Sequence, residues 1–267
     1  MQTSIQLLDQ EYWNGRYKVN ATGWDLGEVS PILKSYFDSI KDKQLKILIP
    51  GCGNAHEADY LLKNGFTNIT IIDIAPILVD ALKNKHSQNH NINVILGDFF
   101  DHQGQYDLIV EQTFFCALPT NWRQKYAFKM HQLLVGNGLL IGLLFDRMFD
   151  SGPPFGGSKK EYESIFRGAF TFKHFSKSKT SVGPRANTEI FIELEKRNEV
   201  VLATFQTIVF SDLKHAYSIK QLITSLDGVI NVSLSSDLME ILVVCEKRFP
   251  LKLLHNIVDR ERKLKLE

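Results

Sequence analysis

Cysteine is scarce in this chain of 267 residues: Cys52, Cys116 and Cys245 are far apart and odd in number. That rules out a disulfide framework as the organising device and suits free thiols in a reducing cytoplasm. An excess of charge of one sign is also missing, because 31 Lys and Arg face 30 Asp and Glu for a formal net charge of +1. No global field draws such a chain onto phosphates or anionic lipid, so neither nucleic acid nor a membrane surface is expected as a partner. Long hydrophobic runs are lacking too. The most apolar stretch, residues 133 to 145, is broken by Gly136, Asn137 and Gly138, and the first ten residues lack the basic-then-apolar layout of a signal peptide. The expectation is a soluble cytoplasmic protein, long enough for one full core and a second small unit.

What is present is an alternation. Short β-rich apolar runs at 46–50, 68–73, 92–96, 106–112 and 139–145 read as buried strands. Helical patterns lie between them at 57–63, 76–87 and 122–134, the first stopping at Asn64-Gly65, the second opening on Pro76, the third following Asn121 as a cap. This is the pattern of a parallel sheet covered on both faces. The cluster Gly152, Pro153, Pro154, Gly156 and Gly157 then demands a loop. A helix at 159–166 and two antiparallel strands at 170–176 and 189–195, joined around Val182-Gly183-Pro184, finish the sheet. Charged residues 197–199 read as a linker. Beyond them come strand 204–210, helix 216–226, strands 229–234 and 240–246, and helix 250–258.

The central motif is the strand Ile47-Leu48-Ile49-Pro50 running into Gly51-Cys52-Gly53-Asn54-Ala55-His56-Glu57. Glycines at such a turn let backbone approach a ligand, and the amides opening the next helix can receive an anionic group. A dinucleotide site would carry a third glycine, which is missing here; a bare strand-to-helix turn remains the plain alternative. Asp73 ends the second strand, about 20 residues beyond Gly53, where an acid can accept both hydroxyls of a ribose. Gly97-Asp98-Phe99 follows the third strand, where a carboxylate can take the exocyclic amine of adenine with Phe99 flanking the ring. Each acid could instead cap a helix, but all lie at the one sheet edge where ligands of open α/β sheets bind.

These residues resemble the class I S-adenosylmethionine-dependent methyltransferases, and more closely the thiopurine S-methyltransferase family with its branch of halide and thiol methyltransferases. The likeness runs from about Tyr12 to Arg197 and includes Gly23-Trp24-Asp25-Leu26-Gly27, Phe114-Phe115-Cys116-Ala117-Leu118-Pro119, Arg123 and Gly152-Pro153-Pro154-Phe155. It implies an α/β, Rossmann-like fold with a mostly parallel seven-stranded sheet over residues 1–198, the first 40 forming a helical lid. It also implies S-adenosyl-L-methionine as cofactor and S-adenosyl-L-homocysteine as product. The cofactor residues so implied are Gly51, Cys52 and Gly53 at the methionine part, Asp73 and Ile74 at ribose, Asp98 and Phe99 at adenine, Glu111 and Gln112 beside the amino acid tail, and Trp13 and Trp24 as lid, with Tyr17 sharing it.

Phe114, Phe115, Arg123, Phe149, Pro154 and Phe155 would line the pocket of a small-molecule acceptor. No catalytic acid, base or metal is obligatory, since a methyl sulfonium is already electrophilic and needs only an in-line nucleophile. An apolar aromatic pocket suits a soft nucleophile: a thiol, a thiopurine, a halide, or a selenium or tellurium compound. Phe155 stands where halide methyltransferases of this branch carry Tyr, which leans toward thiol-like acceptors. Arg123 resembles the arginine facing substrate in thiopurine enzymes; a surface ion pair is the alternative. A cofactor-binding regulatory protein without turnover is the competing function. Residues 199–267 read as an α+β, ferredoxin-like unit resembling a heavy-metal-associated domain, but with His215 and Ser218 where that family has cysteines. A homodimer contact or a partner site is expected of it, with His215 and Cys245 as a remoter metal pair.

Overall fold

The computed structural model describes residues 8–206, 213–235 and 239–263. Helices α1 (Gln10–Lys18) and α2 (Pro31–Ser39) precede an alternation of β1 (Ile47–Pro50), α3 (His56–Lys63), β2 (Ile69–Asp73), α4 (Pro76–Lys85), β3 (Ile92–Leu96), β4 (Tyr106–Gln112), α5 (Arg123–Leu133) and β5 (Leu134–Phe145). α6 (Lys159–Phe166), β6 (Phe170–Lys177) and β7 (Glu189–Lys196) complete a seven-stranded sheet of order β3-β2-β1-β4-β5-β7-β6. β1 to β5 run parallel, while β7 is antiparallel to both β5 and β6.

Alternate residues of the strands feed two cores. Leu48, Ile72, Ile109 and Leu140 join Tyr126, Met130 and Phe166 on one face, and Ile49, Ile71, Val110 and Ile141 join Phe37, Ala58 and Leu78 on the other. β1 and β2 are buried throughout, which is why their sequence reads as apolar runs without polar alternation. β1 pairs with β2 on one side and β4 on the other. The chain therefore leaves the centre of the sheet in opposite directions, and the carboxyl ends of β1 and β4 flank a crevice at that reversal.

A second, three-stranded antiparallel sheet has the order β8-β10-β9, from β8 (Val200–Gln206), β9 (Val229–Leu234) and β10 (Glu240–Glu246). α7 (Leu213–Thr224) and α8 (Leu251–Lys263) accompany it. Ile219, Ile223, Leu254 and Val258 pack with Val232, Ile241, Val243 and Cys245 on one face of this sheet.

Several local expectations need correction. The cap position of α5 is Trp122, not Asn121; a 3-10 turn over Thr120–Trp122 leads in, and the Trp122 side chain makes no cap bond. β5 starts at Leu134, five residues before the expected 139. β8 begins at Val200, so the strand expected at 204–210 is set earlier, and residues 207–210 of that expectation lie outside the described residues. The charged stretch 197–199 is pinned: the Arg197 guanidinium donates to the Glu199 carboxylate at 2.5 Å and to the Gly168 carbonyl at 3.3 Å. Among the described residues no helix is long and apolar enough to cross a membrane.

Candidate active site

At the crevice, β1 gives way to a turn in which Gly51 and Gly53 take φ of 55° and 51°. A side chain would pay roughly 1–2 kcal/mol at either place. Gly51 also lacks room, since a Cβ would fall 2.3 Å from Cδ2 of Phe114. At Gly53 the nearest atom to such a Cβ is the Tyr17 hydroxyl, 3.4 Å away. The turn is thus walled by Phe114 and roofed by Tyr17. Cys52 contributes backbone here; its side chain belongs to the core beneath, and burial pushes its thiol well up. α3 opens after Ala55, which offers no side-chain cap.

Asp73 ties β2 to this turn. Oδ1 accepts the Ala75 amide at 3.0 Å and Oδ2 the Gly53 amide at 3.2 Å. Burial raises its pKa, opposed by the Ala75, Gly53 and Ile74 amides. The half-buried Ile74 follows it. Asp98 is exposed at the next strand end, and its Oδ1 accepts the Phe100 amide at 2.8 Å, capping the 3-10 turn Phe99–Asp101. Phe99 is buried, its ring edge-on to Phe100 and Phe114 at 5.3 and 5.2 Å, a floor beneath the crevice.

At the end of β4 the two expected cofactor residues diverge. Glu111 is fully buried with both oxygens in use: Oε1 accepts the Phe114 and Phe115 amides at 2.8 and 2.9 Å, and Oε2 the Tyr126 hydroxyl at 2.6 Å. Burial raises this carboxyl to about 7, outweighing those three donors. Glu111 thus holds the aromatic turn, and one acceptor site on its Oε2 remains beyond the Tyr126 bond. Gln112 differs: its Oε1 is buried with no hydrogen-bond partner. Thr113 follows at φ 62°, a left-handed conformation costing of order 1–3 kcal/mol, the kind of stored strain that collects at functional sites.

The N-terminal segment lies over this crevice. Trp24 meets Trp13 and Tyr17 edge-on at 5.6 and 5.9 Å, and the Arg16 guanidinium covers the Trp24 ring at 5.3 Å. Burial, then the Asp73 carboxylate, push the Tyr17 pKa up, so its hydroxyl stays a neutral donor. Asp25 joins lid to cradle: it accepts from the Asn54 amide and pairs with His56 Nε2 at 2.7 Å. Asn14 accepts the Ile77 amide at 2.9 Å, anchoring α1 to the start of α4.

On the acceptor side Phe114 is half-buried and Phe115 buried, the latter edge-on to Tyr126 and Tyr162. The Phe155 amide donates to the Cys116 carbonyl at 2.6 Å, and the Arg147–Gly157 bridge closes the loop carrying the half-buried Pro154 and Phe155. Phe149 packs edge-on to Phe145 at 5.1 Å under the Arg147 guanidinium at 4.6 Å. Arg123 is not the exposed ion-paired residue of the alternative expectation, and its buried Nε–H has no hydrogen-bond partner. It is 1% exposed, pairs with Glu161 at 2.5 Å and donates to the Phe155 and Gly156 carbonyls at 3.1 and 2.8 Å, lying over Phe115 at 4.9 Å. It is the clamp of that loop.

Three residues escaped the sequence reading: Tyr126, Asp25 and Arg185. Arg185 is buried, donates to the Trp24 carbonyl, sits 3.5 Å from Glu189 and faces the Phe145 ring at 5.7 Å. Only the Gly183-Pro184 punctuation precedes it, and nothing local marks its partners. Asp25 stood inside a quoted motif whose partners at 54 and 56 were also on view, so that pairing had a signal.

A model of the family described as "Thiopurine S-methyltransferase (TPMT)" matches residues 8–202. The chain belongs to that family. It is 29% identical over 184 residues to "Probable thiol methyltransferase 2" of Arabidopsis thaliana, covering 66% of this chain and 81% of that one. It is 26% identical over 181 residues to a thiopurine S-methyltransferase of Vibrio parahaemolyticus, covering 61% and 83%. Among solved structures, a Burkholderia thailandensis N1-methyltransferase with bound S-adenosylhomocysteine superposes with a TM-score of 0.57 at 14% identity, over 71% of this chain and 87% of that one. An enzyme converting a disulfide into a thioacetal in echinomycin biosynthesis also gives 0.57, at 16% identity over 70% and 92%. These likenesses carry the fold, a class I methyltransferase sheet.

The protein is therefore an S-adenosylmethionine-dependent methyltransferase of the TPMT family, acting on a small-molecule acceptor. The residues present fit that cofactor on one count: an orphaned buried oxygen on Gln112 would accept from an ammonium or amine.

Proposed function

We propose that the protein transfers the methyl group of S-adenosylmethionine to a small thiolate held against Phe114 and Phe155, with the buried Phe115 packed behind them. The observation that carries this reading is the contact of Phe114 with Gly51: the acceptor wall is the back of the cofactor cradle, so nucleophile and donor share one boundary. In this reading Gly51, Gly53 and Gln112 hold the methionine part, Asp73 the ribose, Asp98 over the Phe99 floor the adenine, and Trp13, Tyr17 and Trp24 exclude water. When bound, the cofactor supplies an activated methyl on a sulfonium. The chain then has to position, desolvate and orient.

Burial, then Glu111, push the Cys116 thiol up, and the Arg185 and Arg123 guanidiniums oppose them without reversing the shift. The case for sulfur therefore rests on polarizability, not on local charge. Aromatic surface costs a large polarizable sulfur less than a hard oxyanion, whose hydration is lost on entry.

Methyl transfer to a panel of benzenethiol, hydrosulfide, 6-mercaptopurine, iodide and selenite tests the reading. Methylated sulfur products are expected, with a rate that rises as the thiol ionises. Preference for iodide or selenite over every thiol refutes the acceptor class, and tight S-adenosylhomocysteine binding with no product across the panel favours a protein without turnover.

A further inference from the structure

Eight of the eleven residues of α5 are buried, although a helix lying on a sheet ordinarily buries one stripe. Tyr126, Ala127, Met130 and Leu133 face the sheet and join its core. Phe128, on the opposite side, joins Val200, Leu242 and Val244 of the second sheet. The same outward side makes polar contacts to that sheet and to the segment leading into it. The Ser233 hydroxyl donates to Gln124 Oε1 at 3.4 Å, Lys125 Nζ lies 3.7 Å from Glu240, and His131 Nε2 is 3.0 Å from the Arg197 carbonyl. β8 to β10 thus present one face to α7 and α8 and the other to α5.

The inward side of α5 carries the two residues that hold the acceptor wall. Arg123 clamps the loop at Phe155 and Gly156, and Tyr126 anchors the Glu111 carboxylate that grips the Phe114 and Phe115 amides. Both wall segments hang from one helix, and that helix is seated from behind by a sheet that begins at Val200, almost where the family match ends at residue 202.

We propose that the C-terminal sheet braces α5, with Phe128 as a positioning residue: its seat against Val200, Leu242 and Val244 fixes the helix that sets the acceptor wall. The sheet's place in turnover is then acceptor binding, exerted through α5 without contact with substrate. The kinetic consequence rests on the acceptor reading above; the mechanical one stands by itself.

The test uses full-length Phe128→Ala and Leu242→Ala, with Tyr217→Ala on an exposed turn of α7 as control. Hydrogen exchange read by mass spectrometry reports the amides of Phe114, Phe115 and Phe155. Exchange over 113–117 and 152–158 is expected to quicken about tenfold or more in both interface variants and to stay unchanged in the control. The dissociation constant for S-adenosylhomocysteine stays within threefold of wild type, while KM for benzenethiol rises at least fivefold with kcat nearly constant. Faster exchange confined to residues 200–246 overturns the brace, because a merely structural role loosens only its own sheet. Should Phe128→Ala not fold, Phe128→Leu and Leu242→Ala carry the same comparison. Wall amides that quicken in a protein methylating no thiol uphold the brace and refute the acceptor reading alone.

Discussion

Asp73→Asn separates binding from folding. The carboxylate accepts the Ala75 and Gly53 amides through different oxygens and, in the cofactor reading, the ribose hydroxyls as well. Hydrogen bonds to a charged acceptor contribute about 1.5–3 kcal/mol each. An asparagine keeps one acceptor oxygen and turns an NH2 toward the other donors, so about 2–4 kcal/mol of binding is lost. This is roughly 30- to 1,000-fold in affinity for S-adenosylhomocysteine. The free protein suffers less. One backbone amide loses its partner, costing about 1–3 kcal/mol, but burial already disfavours the charged carboxylate and raises its pKa, so removing the charge offsets much of that cost. The sign follows from linkage. A carboxyl raised in the folded state contributes stability at low pH that is lost as pH rises through its folded pKa, and the asparagine lacks that slope. At pH 7.5 the melting temperature should move by less than about 5 °C, at about 2–4 °C per kcal/mol for a domain of this size. Isothermal titration with S-adenosylhomocysteine and a thermal melt on one preparation give both numbers. A dissociation constant within threefold of wild type refutes the ribose assignment; a large fall in melting temperature refutes the account of the buried charge.

Gly51→Ala should cost about 2–5 kcal/mol, adding left-handed strain to overlap with the Phe114 ring, whereas Gly53→Ala should cost only the strain, about 1–2 kcal/mol; paired thermal melts check the difference. Glu111→Gln should flatten stability against pH. In the wild type a carboxyl at about 7, against 4.5 for the unfolded chain, contributes stability below pH 4.5 that is lost on rising through 7, about 3 kcal/mol in all. Denaturant midpoints at pH 5, 6, 7 and 8 should slope downward more steeply for wild type than for the variant. Arg123→Met should free the 147–157 loop, raising its proteolysis rate about tenfold while leaving S-adenosylhomocysteine affinity within threefold, and equal loss of cofactor binding would contradict the clamp.

The cofactor side was legible because its chemistry is local. A strand, two glycines in a turn and an acid at the next strand end are each recognisable within a few residues, and parallel pairing follows from the alternation of strand and helix. The acceptor side is decided by partners distant in the chain. Glu111 reads as an open acid at a strand end until Tyr126, fifteen residues on, takes one oxygen. Arg123 shows its helix but not its target, the carbonyls of Phe155 and Gly156. Arg185 meets a carbonyl 161 residues away, and charges at 197–199 look solvated until the Gly168 carbonyl accepts from Arg197.

These pairings also decide what the crevice can offer. Glu111 and Arg123 spend most of their bonds on holding the wall, while Gln112, expected beside the amino acid tail, has a buried oxygen without a partner. Asp73 bonds only to backbone, whose amides leave its remaining lone pairs for hydroxyls. In the proposed reading Gln112 and Asp73 hold the cofactor, and the bonds of Glu111 and Arg123 set the shape of the acceptor pocket. A substitution at Glu111 or Arg123 should thus alter which acceptor fits before it alters whether the methyl donor binds, and the reverse should hold at Asp73.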